Sequence, residues 1–418
     1  MFKFFSKPNV VNSLYAIIDQ GVLSLSSFIL NLFLIQYASQ KDYGVYVIII
    51  SFFLLFSGLQ NAIVNSPLTT IFPTLKNEEE KNTYSKTLLL TNILFMLVLL
   101  FLFFPFFPSI FKKYYSYDVD HFSTLILFFS LIIYLTREFC RNIFYAKLQS
   151  KTALFFDISY FIILIVCVVI VLKFKLINPI IIIFIIGLSS LFGIACFIKH
   201  FKKTFYSVKN FQEVIPKIWQ YSKWALIGVI SSWLNMNAYI YLTSDTVEIA
   251  KVSAARIFIM PIILVLSGFG TYLKPLVSNK LSENNYTSIK KIIKYGTFTL
   301  FIVMLIYGFL VYVFYEIFGK EILPNTYMGI ENYIILWSIF AIVSVFYTIS
   351  SNVLLSFLQY KFLSIIGIIM VLSTFLFSFL LYNSYGIIGI ISVISLSMFL
   401  ASLLGSIRLY KFFKNEQS

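Results

Sequence analysis

"NIFYAKLQSK" at 142–151 and "NVLLSFLQYK" at 352–361 carry Asn, Leu, Gln and Lys in the same places, 210 residues apart. Four matches in ten are weak evidence in an alphabet this rich in Phe, Ile and Leu, so the flanks decide whether this is a repeat. Breaking the chain at charged and Pro/Gly/Asn clusters yields twelve apolar runs of helical length. They lie near 10–38, 43–73, 87–111, 122–148, 152–172, 178–200, 218–243, 249–275, 289–318, 330–359, 361–382 and 385–411. The first decapeptide closes run four and the second closes run ten, each followed at once by the next run. A looser pair, around 30–46 and 236–252, also ends a first run and opens a second through a short polar turn. The polar marks therefore punctuate a duplicated hairpin. The chain reads as two six-helix halves, 1–200 and 218–418, joined by the basic linker "FKKTFYSVKNFQEVIPK" (201–217). Parallel repeats of this kind close around a cavity at the bilayer midplane.

Composition agrees. Hydrophobic residues make up 60% of the chain and charged ones 12%, with a mean hydropathy of +0.90. Soluble domains carry about 25% charged residues, and roughly 20 apolar residues cross a bilayer as helix, so this is an all-α integral membrane protein. Several runs exceed that minimum, which predicts tilt or extension past the membrane surface.

The net charge of +15 looks like a nucleic-acid signature until the lysines are located. They sit between the runs, where they suit lipid headgroups, and no nucleic-acid partner is expected. With the N-terminus inside, 22 Lys and Arg fall on the cytoplasmic side and 7 on the other, which places both termini in the cytoplasm. The first run is too long for a signal peptide and no small-residue cleavage site follows it. Three scattered cysteines (Cys140, Cys167, Cys196) and two histidines make neither a disulfide framework nor a metal site. No Gly-x-x-x-x-Gly-Lys-Ser/Thr loop exists, so ATP hydrolysis is not the direct drive and no cofactor is expected.

Three stretches resemble a known family. "EIAKVSAARIFIMPIILVLSGFGTYLKPLVSNKLSENN" (248–285) is similar to the eighth-helix signature of polysaccharide-biosynthesis flippases, in which Arg, Pro and a second Pro follow a small-residue segment. "SQKDYGVYVIIISFF" (39–53) resembles their turn into helix two. "LLYNSYGIIGIISVISLSMFL" (380–400) matches their habit of opening helix twelve with Tyr-Gly-x-x-Gly. The chain thus resembles the Wzx-type polysaccharide and O-antigen flippases of the multidrug/oligosaccharidyl-lipid/polysaccharide (MOP) exporter superfamily. The resemblance implies a MATE-like fold of about twelve helices around a central cavity. It also implies a bacterial inner-membrane protein, not an enzyme, that moves undecaprenyl-diphosphate-linked oligosaccharide from the cytoplasmic to the periplasmic leaflet. Other polysaccharide-assembly proteins would be its partners. Lipid II flippases of the superfamily usually carry two more helices, and a chain stopping at Ser418 after run twelve points away from that branch.

Among the charges within the runs, six stand out: Asp19, Arg137, Glu138, Arg141, Asp157 and Arg256. Each costs at least about 2.5–3.5 kcal/mol to insert, so each needs a partner or a wet cavity. Arg137 and Arg141 share a helix face, and Glu138 reaches Arg141 at i, i+3. Under the resemblance, Arg137, Arg141 and Arg256 would hold the diphosphate, which the planar guanidinium fork suits. The alternative is structural pairing, with Glu138 and Asp157 neutralising the arginines. Asp19 has no basic neighbour on its own helix. It is read either as an H+ or Na+ coupling site or as a partner of Arg256.

Two rival functions remain. A multidrug or cation antiporter of the same architecture would want a cavity dominated by carboxylates, whereas three arginines here match three acids. A membrane polysaccharide polymerase or ligase would want a large external loop, and the longest here is about 112–121.

Overall fold

A bilayer core offers no water to backbone N–H and C=O groups, so apolar runs of this length satisfy them as helices. The computed structural model describes residues 8–72, 75, 77–197, 199 and 211–415, and these are all helix, turn or irregular backbone without a strand. Ten stretches among them are long and apolar enough to cross a membrane, which makes this a multi-pass membrane protein. Residues 201–210 of the basic linker lie outside the described residues, and the chain is helical again from Phe211.

Contacts divide the chain into two compact units, Met1–Leu226 and Ile227–Ser418. The first contains α1 (Pro8–Tyr37), α2 (Gln40–Gln60), α3 (Glu78–Phe103), α4 (His121–Ala146), α5 (Ser150–Phe174) and α6 (Pro179–Phe197). Helix α7 (Phe211–Met236) contains the boundary and falls outside the ten. The second unit continues with α8 (Thr246–Ser282), α9 (Tyr286–Phe314) and α10 (Glu331–Ser356). Its last helical stretch, Tyr360–Asn415, is broken at Gly386, where φ is 56° and ψ −141°. Only glycine enters that region of backbone space readily, so the stretch is two helices, α11 (360–385) and α12 (387–415). The Tyr-Gly-x-x-Gly motif therefore marks a chain reversal. With α7 added and this stretch counted twice, the ten stretches become the twelve runs.

Boundaries differ from the sequence reading where punctuation intervenes. The third run stops at Phe103 because Pro105 cannot continue it, and a short helix, Phe107–Tyr115, restarts with Pro108 in its first turn. Helix α2 begins at Gln40 because Ser39 caps it, accepting from the Asp42 N–H while its hydroxyl donates to the Asp42 carboxylate at 2.6 Å. Past Gln60 the same helix passes through a π-turn, Asn61–Asn65, before Ser66–Ile71.

The two decapeptides fold alike. Asn142 donates to the Glu138 carbonyl at 2.7 Å, and Asn352 to that of Thr348 at 2.6 Å. Leu148 and Leu358 both stand at φ 57°, and each turn closes with the next N–H (Gln149, Gln359) returning to a helix carbonyl (Phe144, Leu354) at 2.9 and 3.0 Å. This is the Schellman ending, which satisfies carbonyls the helix leaves orphaned. A left-handed Leu is unusual, and here it occurs twice at one spacing.

In the first unit α4 packs on α6 and α5, and α1 packs on α5. Phe139, Ile143 and Phe144 of α4 bury against Phe156 of α5, with Leu88 of α3. In the second unit α10 packs against α8, α9 and the α11–α12 stretch. Its Trp337 is fully buried, donates to the Val252 carbonyl at 3.1 Å and meets Tyr239 edge-on. Many outward positions of α3 and α9, such as Phe101 and Phe309, are bare apolar side chains suited to lipid.

Candidate functional site

Five of the six intramembrane charges converge within the first unit. The turn at Leu148 folds α5 back along α4, so Asp157 comes beside Arg137. The packing of α1 on α5 brings Asp19 to the same spot. Arg141 is the hub. Its Nη2 donates to Asp19 Oδ2 at 2.7 Å, its Nε lies 2.7 Å from Asp157 Oδ2, and Glu138 Oε2 stands 3.7 Å from Nη1. Arg137 donates to Asp157 and, at 3.2 Å, to Glu138. Asp157 thus bridges the two arginines, while Asp19 also accepts a short hydrogen bond from the Tyr145 hydroxyl.

Tyrosine rings wall the charges. The Arg137 guanidinium lies 3.8 Å from the centre of the Tyr160 ring, and that of Arg141 5.2 Å from Tyr145. The ring faces carry negative potential and favour a desolvated cation. Removing five charges from water costs several kcal/mol per ion, which only dense pairing offsets. The pairing is uneven, because three carboxylates face two guanidinium groups. Asp19 Oδ1 and Arg137 Nε are buried without a hydrogen-bond partner. Exposure is uneven too: Arg137, Asp157 and Asp19 are 1% exposed or less, whereas Arg141 and Glu138 are 13% and 14% exposed. Arg141 and Glu138 are thus the partly exposed members of the cluster.

Arg256 lies on α8, in the second unit. Its Nη1 is 3.4 Å from Asn237 Oδ1, its guanidinium is 5.1 Å from the Trp337 ring, and its buried Nε has no hydrogen-bond partner. No carboxylate of that unit pairs with it among the described residues. Asp19 has Arg141 as its partner, a contact between residues 122 positions apart.

Sequence reasoning overlooked a second polar group in the first unit. Gln60 donates to Asn92 at 2.8 Å and to the Leu135 carbonyl at 2.7 Å, beside the π-turn, and Asn65 lies next to it at 3.4 Å. It also overlooked Tyr145 and Tyr160. Amides inside apolar runs were the available signal for the first group. The tyrosines left none, because Tyr is equally common at membrane interfaces.

No family model and no curated protein sequence matches the chain. Solved structures do match in fold. A MATE family multidrug-resistance transporter of the MOP superfamily, in an inward-facing conformation, aligns with 96% of this chain and 99% of its own length. The TM-score is 0.73 at 12% identity. The lipid II flippase MurJ, in an inward closed conformation, aligns with 96% of this chain and 87% of its own, with a TM-score of 0.72 at 16% identity. A MOP superfamily transporter from Pyrococcus furiosus, whose reversed binding-pocket polarity suggests a different function, aligns with 99% of this chain and 97% of its own. Its TM-score is 0.69 at 13% identity. At such identities the likeness concerns architecture: this chain has the all-α, MATE-like membrane fold.

Proposed function

We propose that the protein is a lipid-linked oligosaccharide translocase. It carries an undecaprenyl-diphosphate-linked repeat unit from the cytoplasmic to the outer leaflet of the bacterial inner membrane by alternating access, with both termini in the cytoplasm. The observation that carries this reading is Arg141. A permanently charged fork, within a membrane span, is held by three carboxylates and remains partly exposed. An incoming diphosphate offers the same paired oxygens as the carboxylates and competes for that fork. Once Arg141 turns to substrate, Asp19 loses its counter-charge and takes up a proton or Na+, which couples substrate binding to an ion, while Asp157 keeps Arg137 as its partner. Arg137, sealed behind them, holds Asp157 in place. Arg256, which has no acid partner in its own unit among the described residues, is also proposed as a diphosphate-binding residue. The fold shared with the flippase MurJ supports this reading.

A cation antiporter is the second reading. It is favoured by the excess of one carboxylate over the arginines and by the fold shared with MATE multidrug transporters. Under it, cells would expel a cationic dye, and Arg141→Ala would leave expulsion largely intact.

The test is surface-polysaccharide export in a deletion strain, with the amount of protein in the membrane measured alongside. Arg141→Lys keeps the charge and loses the fork, so export should fall about tenfold or more, one charge-assisted hydrogen bond being worth about 1.5–3 kcal/mol. Full export from a stably inserted Arg141→Ala, Arg256→Ala double variant would sink the diphosphate role.

A further inference from the structure

Where α9, α10 and α12 meet, the second unit holds a pocket of about 210 Å³. Ile293 and Thr297 line it from α9, Ile349 and Phe346 from α10, and Leu409 and Phe413 from α12. The pocket is small beside the roughly 300–1,000 Å³ of a site for a drug-sized ligand, so it fits a length of hydrocarbon better than a whole solute. Its position is specific. Ser350 and Gly405 bring α10 and α12 so close that a Cβ on Gly405 would lie 2.8 Å from the Ser350 hydroxyl, and the pocket opens beside that seam.

The end of α9 and the end of α12 that border it are rich in basic residues. Residues 286–297 and 403–414 contain Lys290, Lys291, Lys294, Arg408, Lys411 and Lys414 and no acid. Lys290 stands 5.3 Å from the ring of pocket-lining Phe413. The lysines at 291, 294, 411 and 414 are exposed. Other basic stretches differ: 76–86, for example, interleaves its lysines with Glu78, Glu79 and Glu80 and pairs Lys81 with Glu78. An apolar slot beneath a basic rim matches a molecule with a hydrocarbon chain and an anionic head.

We propose that this pocket is a binding site for one anionic glycerophospholipid. An acyl chain enters between α9 and α12, and the headgroup phosphate lies among the basic residues of the rim. Such a lipid stitches α9, whose outer face has few protein neighbours, to the better-packed α10 and α12.

Native mass spectrometry of the full-length protein in detergent tests this, with added phosphatidylglycerol or phosphatidylcholine of identical acyl chains. The expected result is one phosphatidylglycerol retained per chain under conditions that strip phosphatidylcholine. Ser406→Trp or Thr297→Phe should fill the slot and abolish that adduct while the protein stays folded by circular dichroism, since Ser406 is exposed and Thr297 only half-buried. Lys290→Gln, Lys294→Gln and Lys411→Gln should each weaken retention about fivefold. Equal retention of the two lipids, an unchanged adduct in both slot-filling variants, or preference for undecaprenyl phosphate over phosphatidylglycerol would each overturn the proposal.

Discussion

The two halves share a turn and differ in what surrounds it. Measured from that turn at the 210-residue offset, Arg137, Glu138, Arg141 and Asp157 of the first half correspond to Tyr347, Thr348, Ser351 and Gly367 of the second. Every charge has become neutral. In its place the second half has close packing and neutral hydroxyl hydrogen bonds. Ser351 donates to the Thr348 carbonyl at 3.2 Å, and a Cβ on Gly367 would lie 3.0 Å from that of Ser231. Asn235 accepts hydrogen bonds from Thr374 and Ser397 in its interior. A fold that can build this hairpin without charge does not need charge to build it. The first half carries two arginines and three acids for a reason beyond folding, which is why the proposed function rests there.

The largest expected effect breaks the comparison at Asp157. Asp157→Ala leaves Arg137 sealed in the membrane with only Glu138 beside it, and loss of one partner of a buried pair typically costs about 3–5 kcal/mol. A matched Arg137→Leu, Asp157→Leu variant should recover most of that stability, because the second half shows a neutral version of the hairpin to be foldable. Thermal unfolding in detergent reads both. A loss below about 1 kcal/mol for Asp157→Ala would mean that water reaches Arg137 and that the cluster is not sealed.

How much of this was legible beforehand depends on the range of each signal. The helices were legible because hydropathy is local, and so was the repeated turn, whose four polar marks sit within ten residues. Arg137, Glu138 and Arg141 could be placed on one helix face by periodicity alone. The Asp19–Arg141 pair could not, because no local rule says which helix packs beside which. Arg256 was grouped with the other arginines by residue type, whereas its neighbours are Asn237 and Trp337. The π-turn at Asn61–Asn65 had no sequence signal beyond two asparagines in an apolar run.

A smaller effect sharpens the comparison at the last joint of each half. Between α5 and α6 the chain turns through Lys175 at φ 54° and a short loop ending in Pro179. Between α11 and α12 it turns at Gly386 alone. Gly386→Ala forces a side chain into backbone space that costs about 1–3 kcal/mol, although nothing lies within 4 Å of the new Cβ. The melting temperature should fall from backbone strain alone, and Lys175→Gly should raise it or leave it unchanged. Equal melting temperatures for Gly386→Ala and the parent would show that the α11–α12 joint relaxes into an ordinary helix.

The smallest effect tests whether the two turns are equivalent. Leu148 and Leu358 are 70% and 73% exposed, so replacing either by Gly removes little packing. Each substitution relieves a left-handed conformation that costs an L-residue about 1–2 kcal/mol. Against this, glycine loses roughly 0.5–1 kcal/mol more conformational freedom on folding. The difference leaves each variant about 0.5–1 kcal/mol more stable than the parent. Because the φ angles and closing hydrogen bonds coincide, the two gains should agree, and they should add in the double variant. Paired melting curves of the single and double variants decide the matter. If Leu148→Gly stabilises while Leu358→Gly destabilises, then Leu358 is held left-handed by contacts its counterpart lacks, and the decapeptides share letters without sharing energetics.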